Sequence, residues 1–455
     1  MYISHLDLRA YRRFETFTID FDRSLTVIAA RNGQGKTTVL EAIASALGPF
    51  VGAFDDARGQ HLLRTDAHRR VVGTWPTNEP VYPVVVAAEL IDDSGSSISW
   101  SRRLNSGKKS AKTTIKEAAP LAQWGKQLQE EVRAGSRVDL PVIAYYSSKR
   151  LWLSHKNHGL RSSGILVQSR TAAYSECLSS TVSSFAQIEL WMQRATLASM
   201  QARTEAGAAG EFESQLAGIS RTVDMVMSNE GWSDFRYSFA LDELSLTHRD
   251  HGELPVSILS DGVRAVVSLV ADLALRCVRL NPHLGERASG EGRGVVMIDE
   301  VDLHLHPAWQ QRIVARLREA FPNIQFILTT HSPQVLSTVE RKSIRIVSRD
   351  GEGRWFAATP GAEVKGLESS VALNDVMGVD PVPAVAQSKL ISDYTVAIER
   401  GEQESDEGRR LRGELEDFYG STHRVLRDAD RLTRFQQMKL RAEGKKGSAG
   451  DRQEG

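Results

Sequence analysis

The sequence has little of what would place it outside a cell or in a bilayer. Among 455 residues only Cys177 and Cys277 are cysteines, too few for a disulfide framework or a four-cysteine zinc site, and a number that fits a reducing compartment. No apolar run approaches the ~18 residues of a membrane span. The opening MYISHLDLRAYRRFE lacks the basic-then-apolar pattern of a secretory leader. A net charge is missing too: 57 Lys and Arg balance 57 Asp and Glu, so no global field draws the chain to nucleic acid or anionic lipid. There is no internal repeat and no sustained heptad series, which excludes solenoids and long coiled-coil arms. The expectation is a cytoplasmic globular protein, long enough for one large domain with an insertion or for two to three domains.

What is present begins with AARNGQGKTTVLEAI, from Ala29 to Ile43. The continuous apolar run LTVIAA before it reads as a buried strand. Val39, Leu40, Ile43, Ala44 and Leu47 follow at helical spacing, and Gly48-Pro49 predicts the helix stop. Strand, glycine loop and helix are the setting a phosphate cradle needs. Gly33 and Gly35 let backbone N–H groups turn toward phosphate oxygens, and the helix N-terminus favours the anion. Arg31, Asn32, Gly33, Gln34, Gly35, Lys36, Thr37 and Thr38 form the candidate nucleotide-binding set. Lys36 would reach the β- and γ-phosphates and the Thr37 hydroxyl a Mg²⁺ ion. One feature of the usual pattern is absent: Ala30 stands where the leading glycine belongs, which is tolerable if its φ is negative.

Three further stretches carry chemistry. The apolar strand GVVMI runs into Asp299 and Glu300; Asp299 is placed to hold Mg²⁺ with Thr37, and Glu300 to act as general base on an attacking water. LSDGVR, Leu259 to Arg264, precedes a long apolar helix and offers a second anion site. NIQFILTTHSP ends a buried strand at His331. Elsewhere, alternating runs at residues 3–21 and 80–104 read as strand hairpins, LPVIAYY (140–146) as a buried strand, and 174–230 as helical, with Phe185, Ile188, Trp191 and Met192 on one face.

In this order the motifs resemble the ATPase heads of ABC type, as in the SMC, RecF and OLD-like group. LPVIAYYSSKRLW, LSDGVRAVVSLVADLALR, MIDEVDLHLHP and ILTTHSPQVLSTV narrow the resemblance to the PtuA-type ATPases of Septu and retron anti-phage systems. It spans about residues 1–345. It implies an α/β head with a mixed sheet, an antiparallel β subdomain, an inserted helical lobe and a C-terminal helical segment. The divisions are 1–150 (first ATPase lobe with the cradle), 151–255 (helical lobe), 256–375 (second ATPase lobe), 376–440 (helical partner-docking segment) and 441–455 (disordered tail). ATP and Mg²⁺ are the implied cofactors, and Lys36, Glu300 and His331 the implied catalytic residues. Two heads would pair head-to-tail, with the signature residues Ser260, Asp261 and Gly262 meeting the partner's ATP and His331 contacting the γ-phosphate in its own head. The implied partners are a second copy or a higher oligomer, an HNH nuclease of PtuB type and, in retron systems, a reverse transcriptase with its msDNA. Nucleic acid is a further candidate partner; a membrane is not.

The sequence departs from ABC relatives where they place a Gln after the strand at 140–146. Here Ser147, Ser148 and Arg150 stand instead. His304 and His306 stand at i, i+2, which in an extended segment puts them on one face as a metal pair would be; the resemblance instead implies a dimer contact. Arg102, Arg103, Lys108, Lys109 and Lys112 lie in a basic stretch read as a loop, a candidate nucleic-acid contact. Two other functions compete: a RecF-like repair ATPase, and an OLD-like nuclease, for which only Asp428 and Asp430 of RDADR offer acids after the head. In the tail, Leu411, Leu415, Phe418 and Tyr419 share one helix face, and Val425, Leu426 and Leu432 another.

Overall fold

The computed structural model describes residues 1–71, 78–148, 169–179, 185–204 and 209–450. Arg150 and the first part of the expected helical lobe lie outside them. The chain divides into two compact units, Met1–Gly378 and Val379–Gly455.

The first unit is built on a six-stranded sheet in the order Trp355–Ala358, Ile344–Arg349, Leu25–Ala29, Ile324–Thr330, Gly294–Ile298, Val142–Tyr146. All neighbours are parallel except the edge strand Trp355–Ala358. Every residue of Leu25–Ala29, Gly294–Ile298 and Ile324–Thr330 is buried. This is why those segments read as unbroken apolar runs: a parallel strand covered on both faces has no polar side to show. The three strands whose C-terminal ends lead into the cradle, Asp299 and His331 are therefore adjacent, and their ends form one edge of the sheet. Ligands bind at such an edge in open α/β sheets.

A four-stranded antiparallel sheet, in the order Phe14–Asp20, Tyr2–Tyr11, Val84–Ile91, Ser97–Leu104, forms the β subdomain. The strand Val84–Ile91 alternates strictly: Val84, Val86, Ala88 and Leu90 are buried and the residues between them less so. Helices Phe185–Thr204 and Ala209–Met227 bear out the helical reading up to residue 230, with Ile188, Trp191 and Met192 buried. Residues 232–255, counted with the helical lobe, instead form a three-stranded antiparallel sheet of Trp232–Ser238, Glu243–His248 and Gly252–Pro255. The periodicity there changes from helical to alternating, a signal masked by the short strands. The helix Ala119–Arg133 was not expected.

The cradle helix corrects a second expectation. It does not stop at Gly48-Pro49 but runs from Lys36 to Val51 with Pro49 inside. Proline lacks the N–H that would bond the Ser45 carbonyl, which ordinarily breaks a helix. Here Arg102 Nη1 donates to that Ser45 carbonyl and to the Gln60 carbonyl, and Arg102 Nη2 lies 3.1 Å from His61 Nδ1. Trp100 Nε1 bonds the next carbonyl, Ala46 O, at 2.9 Å. Arg102 is thus fully buried in the strand Ser97–Leu104, and burial pushes its pKa down to about 10. It serves the proline-bearing helix and is removed from the candidate nucleic-acid contacts. Arg103 pairs with Glu117 at 3.4 Å; Lys108, Lys109 and Lys112 remain exposed.

The second unit holds helices Ala386–Glu399, Asp406–Tyr419 and Arg424–Gly450. They enclose a small core of their own: Tyr394, Ile398, Leu411, Leu415 and Leu426, with Tyr419, Val425 and Leu432 packed against it. Phe418, expected to share the face of Leu411 and Leu415, is 61 % exposed. The last helix continues through 441–450, where composition predicts a disordered tail. Among the described residues no helix is long and apolar enough to cross a membrane.

Candidate nucleotide site

The cradle loop turns through left-handed conformations at Gly33 (φ 72°) and Gly35 (φ 98°), the region in which glycine alone is at ease. A Cβ on Gly35 would also come within 2.6 Å of the Phe14 ring and 2.7 Å of Arg13 Cδ. That position therefore needs glycine on two counts. Ala30 does not fall among the positive-φ residues and is buried, so the missing leading glycine leaves the turn intact. Arg31 Nη2 donates to Gly378 O at 2.7 Å, and Gln34 closes the loop by accepting from the Arg31 N–H at 3.2 Å. Asn32 is exposed and Thr38 half-buried. Lys36 opens the helix and is only 6 % exposed. Its ammonium donates to Ala30 O at 3.1 Å and meets His331 Nε2 at 2.5 Å. Two groups that carry positive charge when protonated do not sit so close unless the imidazole is neutral and accepts. Consistently, burial and then the Lys36 charge hold His331 below the usual histidine pKa. Burial lowers Lys36 to about 8 against the opposing pull of Asp299, Glu300 and Asp302.

The acid strand ends beside the cradle. Asp299 is buried just beyond Gly294–Ile298, and Thr37 Oγ1 donates to its Oδ2 at 2.9 Å. The other carboxylate oxygen accepts from Thr329 Oγ1 at 2.6 Å, and that hydroxyl oxygen accepts from the Glu300 N–H at 2.8 Å. Glu300 itself has φ 49°, a left-handed conformation that costs a side-chain-bearing residue about 1–2 kcal/mol. The turn takes the chain out of the strand directly after Asp299. Asp302 Oδ1 then accepts from Thr330 Oγ1 at 2.5 Å and from the His331 N–H at 3.4 Å. Thr329, Thr330 and Asp302 tie the acid and histidine strands together at the site, and sequence reasoning missed them. The TT before His331 was their signal, because polar residues ending a fully apolar strand need partners.

Ser260 caps the helix Asp261–Leu280 with no side-chain capping bond, and it is exposed. Asp261 pairs with Arg264 at 2.6 Å. A Cβ on Gly262 would stand 2.7 Å from His304 O, so the signature turn and the segment after Glu300 lie against each other and only glycine fits between them. Ser260 and Gly262 belong to the face of that helix N-terminus, while Lys36, Thr37, Asp299 and His331 are joined around the cradle. His304 (φ 62°) and His306 are exposed, and His306 Nδ1 accepts from the Ala308 N–H at 3.3 Å, capping a short helical turn. Among the described residues no group of three or more His, Cys, Asp or Glu forms a metal cluster. Asp428 pairs with Arg424 and Arg431, and Asp430 with Arg412.

A glycine cradle on a central parallel strand, with a lysine inside it and a carboxylate from the acid strand next but one bonded to the cradle threonine, defines the nucleotide-binding class of P-loop proteins. Residues 25–337 match the family described as "AAA domain, putative AbiEii toxin, Type IV TA system", and the chain belongs to that family. It is similar to the "Retron Ec83 probable ATPase" of Escherichia coli, 36 % identical over 197 residues, 43 % of this chain and 35 % of that protein. It is 40 % identical to the "Retron Vc95 probable ATPase" of Vibrio cholerae over 34 % of this chain and 30 % of that protein. With the "Septu protein PtuA" of Bacillus mycoides it shares 45 % identity over 25 % of this chain and 16 % of the relative. The chain thus spans about a third or less of the length of these relatives.

Proposed function

We propose that the chain is a Mg²⁺-dependent ATPase that works as a head-to-tail dimer and controls a partner HNH nuclease in anti-phage defence. The observation that carries the ATPase reading is the network Lys36–His331, Thr37–Asp299 and Asp299–Thr329–Glu300 N–H, which gathers one cation, one metal-side carboxylate and one candidate base at the end of three adjacent strands. Lys36 leaves Ala30 O and His331 to take the β- and γ-phosphates. Thr37 and Asp299 supply a hydroxyl and a carboxylate, hard oxygen donors suited to Mg²⁺, which when bound neutralises phosphate charge. Glu300 orients and deprotonates water, and His331, released by Lys36, contacts the γ-phosphate. Ser260 and the Gly262 backbone complete the site from the other copy. The names of the retron and Septu relatives support the defence role, and the PtuA-type resemblance supports the nuclease partner. Steady-state phosphate release by the purified chain, with and without Mg²⁺, tests the reading; a chain that neither binds nor hydrolyses ATP overturns it.

A pH dependence follows from Lys36. Its pKa of about 8 reflects burial, and phosphate oxygens beside it would favour the ammonium, so ATP raises that pKa. Binding then takes up a proton near pH 8, and affinity falls as pH rises above about 8, by up to roughly tenfold per pH unit. Calorimetry in two buffers of different ionisation enthalpy measures the uptake at pH 8.5. Zero proton uptake there would contradict the assignment.

The unit Val379–Gly455 is the proposed docking element for the nuclease. It encloses its own core yet leaves Phe418, Phe435 and Met438 exposed at 61 %, 65 % and 68 %, apolar area that a partner would cover. Deleting 379–455 is expected to leave ATP turnover within about twofold and to abolish co-purification with the proposed HNH nuclease partner. Intact co-purification, or an insoluble head, refutes the docking assignment.

A further inference from the structure

Behind the sheet edge lies a polar cluster that the proposed chemistry does not use. Tyr146 is the last residue of Val142–Tyr146, in register with Ile298 on the acid strand. Its carbonyl accepts from the Asp299 N–H at 2.8 Å. Its hydroxyl donates to Asp272 Oδ2 at 2.7 Å. Asp272 is buried in the helix Asp261–Leu280, the one capped by Ser260. The same carboxylate oxygen accepts from Arg276 Nε at 2.8 Å, and Arg276 Nη1 donates to Ala173 O at 2.7 Å. One residue therefore grips, with two different atoms, the backbone of the metal-side acid and the helix that carries the signature.

A phenol, carboxylate and guanidinium placed in an interior have to satisfy one another, because an unmatched buried charge is costly. Apolar side chains could fill the same volume without that demand. What the polar set adds is direction: an O–H···O⁻ bond fixes the helix to the strand end at one register, where apolar packing would let it slide.

We propose that Tyr146 is a positioning residue that couples Asp299 to the signature helix through Asp272, so that a head's own nucleotide site and the signature face it presents to its partner move as one piece. The coupling rests on the composite dimer site of the proposed function. Through it, nucleotide seated against Thr37 and Asp299 sets the position of Ser260 for the opposite site, and the two sites of a dimer fire together.

Tyr146→Phe removes the hydroxyl alone and leaves Asp272 its bond to Arg276, so the cluster keeps its charge balance. In the full chain, the affinity for a fluorescent ATP analogue is expected to stay within about twofold, while maximal turnover falls about 10- to 100-fold, the scale of a small misplacement transmitted to a reacting centre. The Hill coefficient for ATP is expected to drop toward 1. Asp272→Asn should show the same split in affinity and turnover together with a lower melting temperature, because it also takes the carboxylate from the buried Arg276; the clean readout is Tyr146→Phe. A merely structural role would lower affinity and melting temperature together with turnover. Wild-type turnover and cooperativity in Tyr146→Phe, or parallel loss of affinity and turnover, would overturn the coupling. Failure of the composite site itself is read separately, from normal hydrolysis by Ser260→Arg.

Discussion

Glu300→Gln is expected to bind ATP as tightly as the native chain and to hydrolyse it 10²–10⁴-fold more slowly, the range a positioned general base contributes. The substitution keeps the size of the side chain and the backbone bond from the Glu300 N–H to Thr329 Oγ1. It leaves the Thr37–Asp299 pair untouched. What is lost is proton acceptance from water. With binding intact and hydrolysis blocked, ATP should accumulate in the protein and hold two copies together. Size-exclusion chromatography with light scattering checks this: Glu300→Gln should run as a long-lived dimer with ATP and revert when nucleotide is removed. The left-handed φ of Glu300 adds a control. Glu300→Gly relieves the backbone cost yet also lacks the base, so it should be at least as stable to heat as the native chain and equally inactive. Turnover near the native rate in Glu300→Gln would place the base on another residue.

The parts of this site legible in the sequence are those that one short segment specifies by itself. Gly33 and Gly35 announce positive φ, and the structure has it at both. Three apolar runs announce fully buried parallel strands, and their order places Asp299 and His331 beside Lys36. What stayed hidden depends on partners far along the chain. Arg102 reads as one of a group of cations because nothing local says that a proline 53 positions earlier has freed a carbonyl for it. Gly48-Pro49 reads as a helix stop for the same reason, since the rescuing donor lies on a distant strand, Ser97–Leu104. Thr329, Thr330 and Asp302 carry no motif of their own and are found only when two neighbouring strands are in register. Tyr146 belongs with them: its strand is plain in the sequence, but its hydroxyl partner lies 126 residues away.

Ser260→Arg is expected to abolish hydrolysis by at least about 10²-fold, the cost of removing a donor aimed at developing charge, while ATP binding to the cradle survives. Ser260 makes no side-chain capping bond in its own chain, and Lys36 is held instead by Ala30 O and His331; the two are supplied by separate elements. In a head-to-tail dimer each ATP would lie between one copy's Lys36 and the other copy's Ser260. This arrangement makes a demand that a site within one copy cannot meet. Ser260→Arg and Lys36→Ala are each inactive alone, because every site in either homodimer carries one defect. In a mixed dimer both defects fall on the same site, and the other site is native on both sides. Equal amounts that exchange freely form about half mixed dimers, each with one of two sites intact, so activity should recover to about a quarter of the native rate if the sites act independently. Coupling through Tyr146 would reduce that recovery, and Tyr146→Phe in both partners would bring the surviving site to the same slow rate it has in the unmixed variant. Phosphate release across mixing ratios should peak at equal amounts. Hydrolysis by Ser260→Arg alone at the native rate would show that each head does its chemistry without the other's signature.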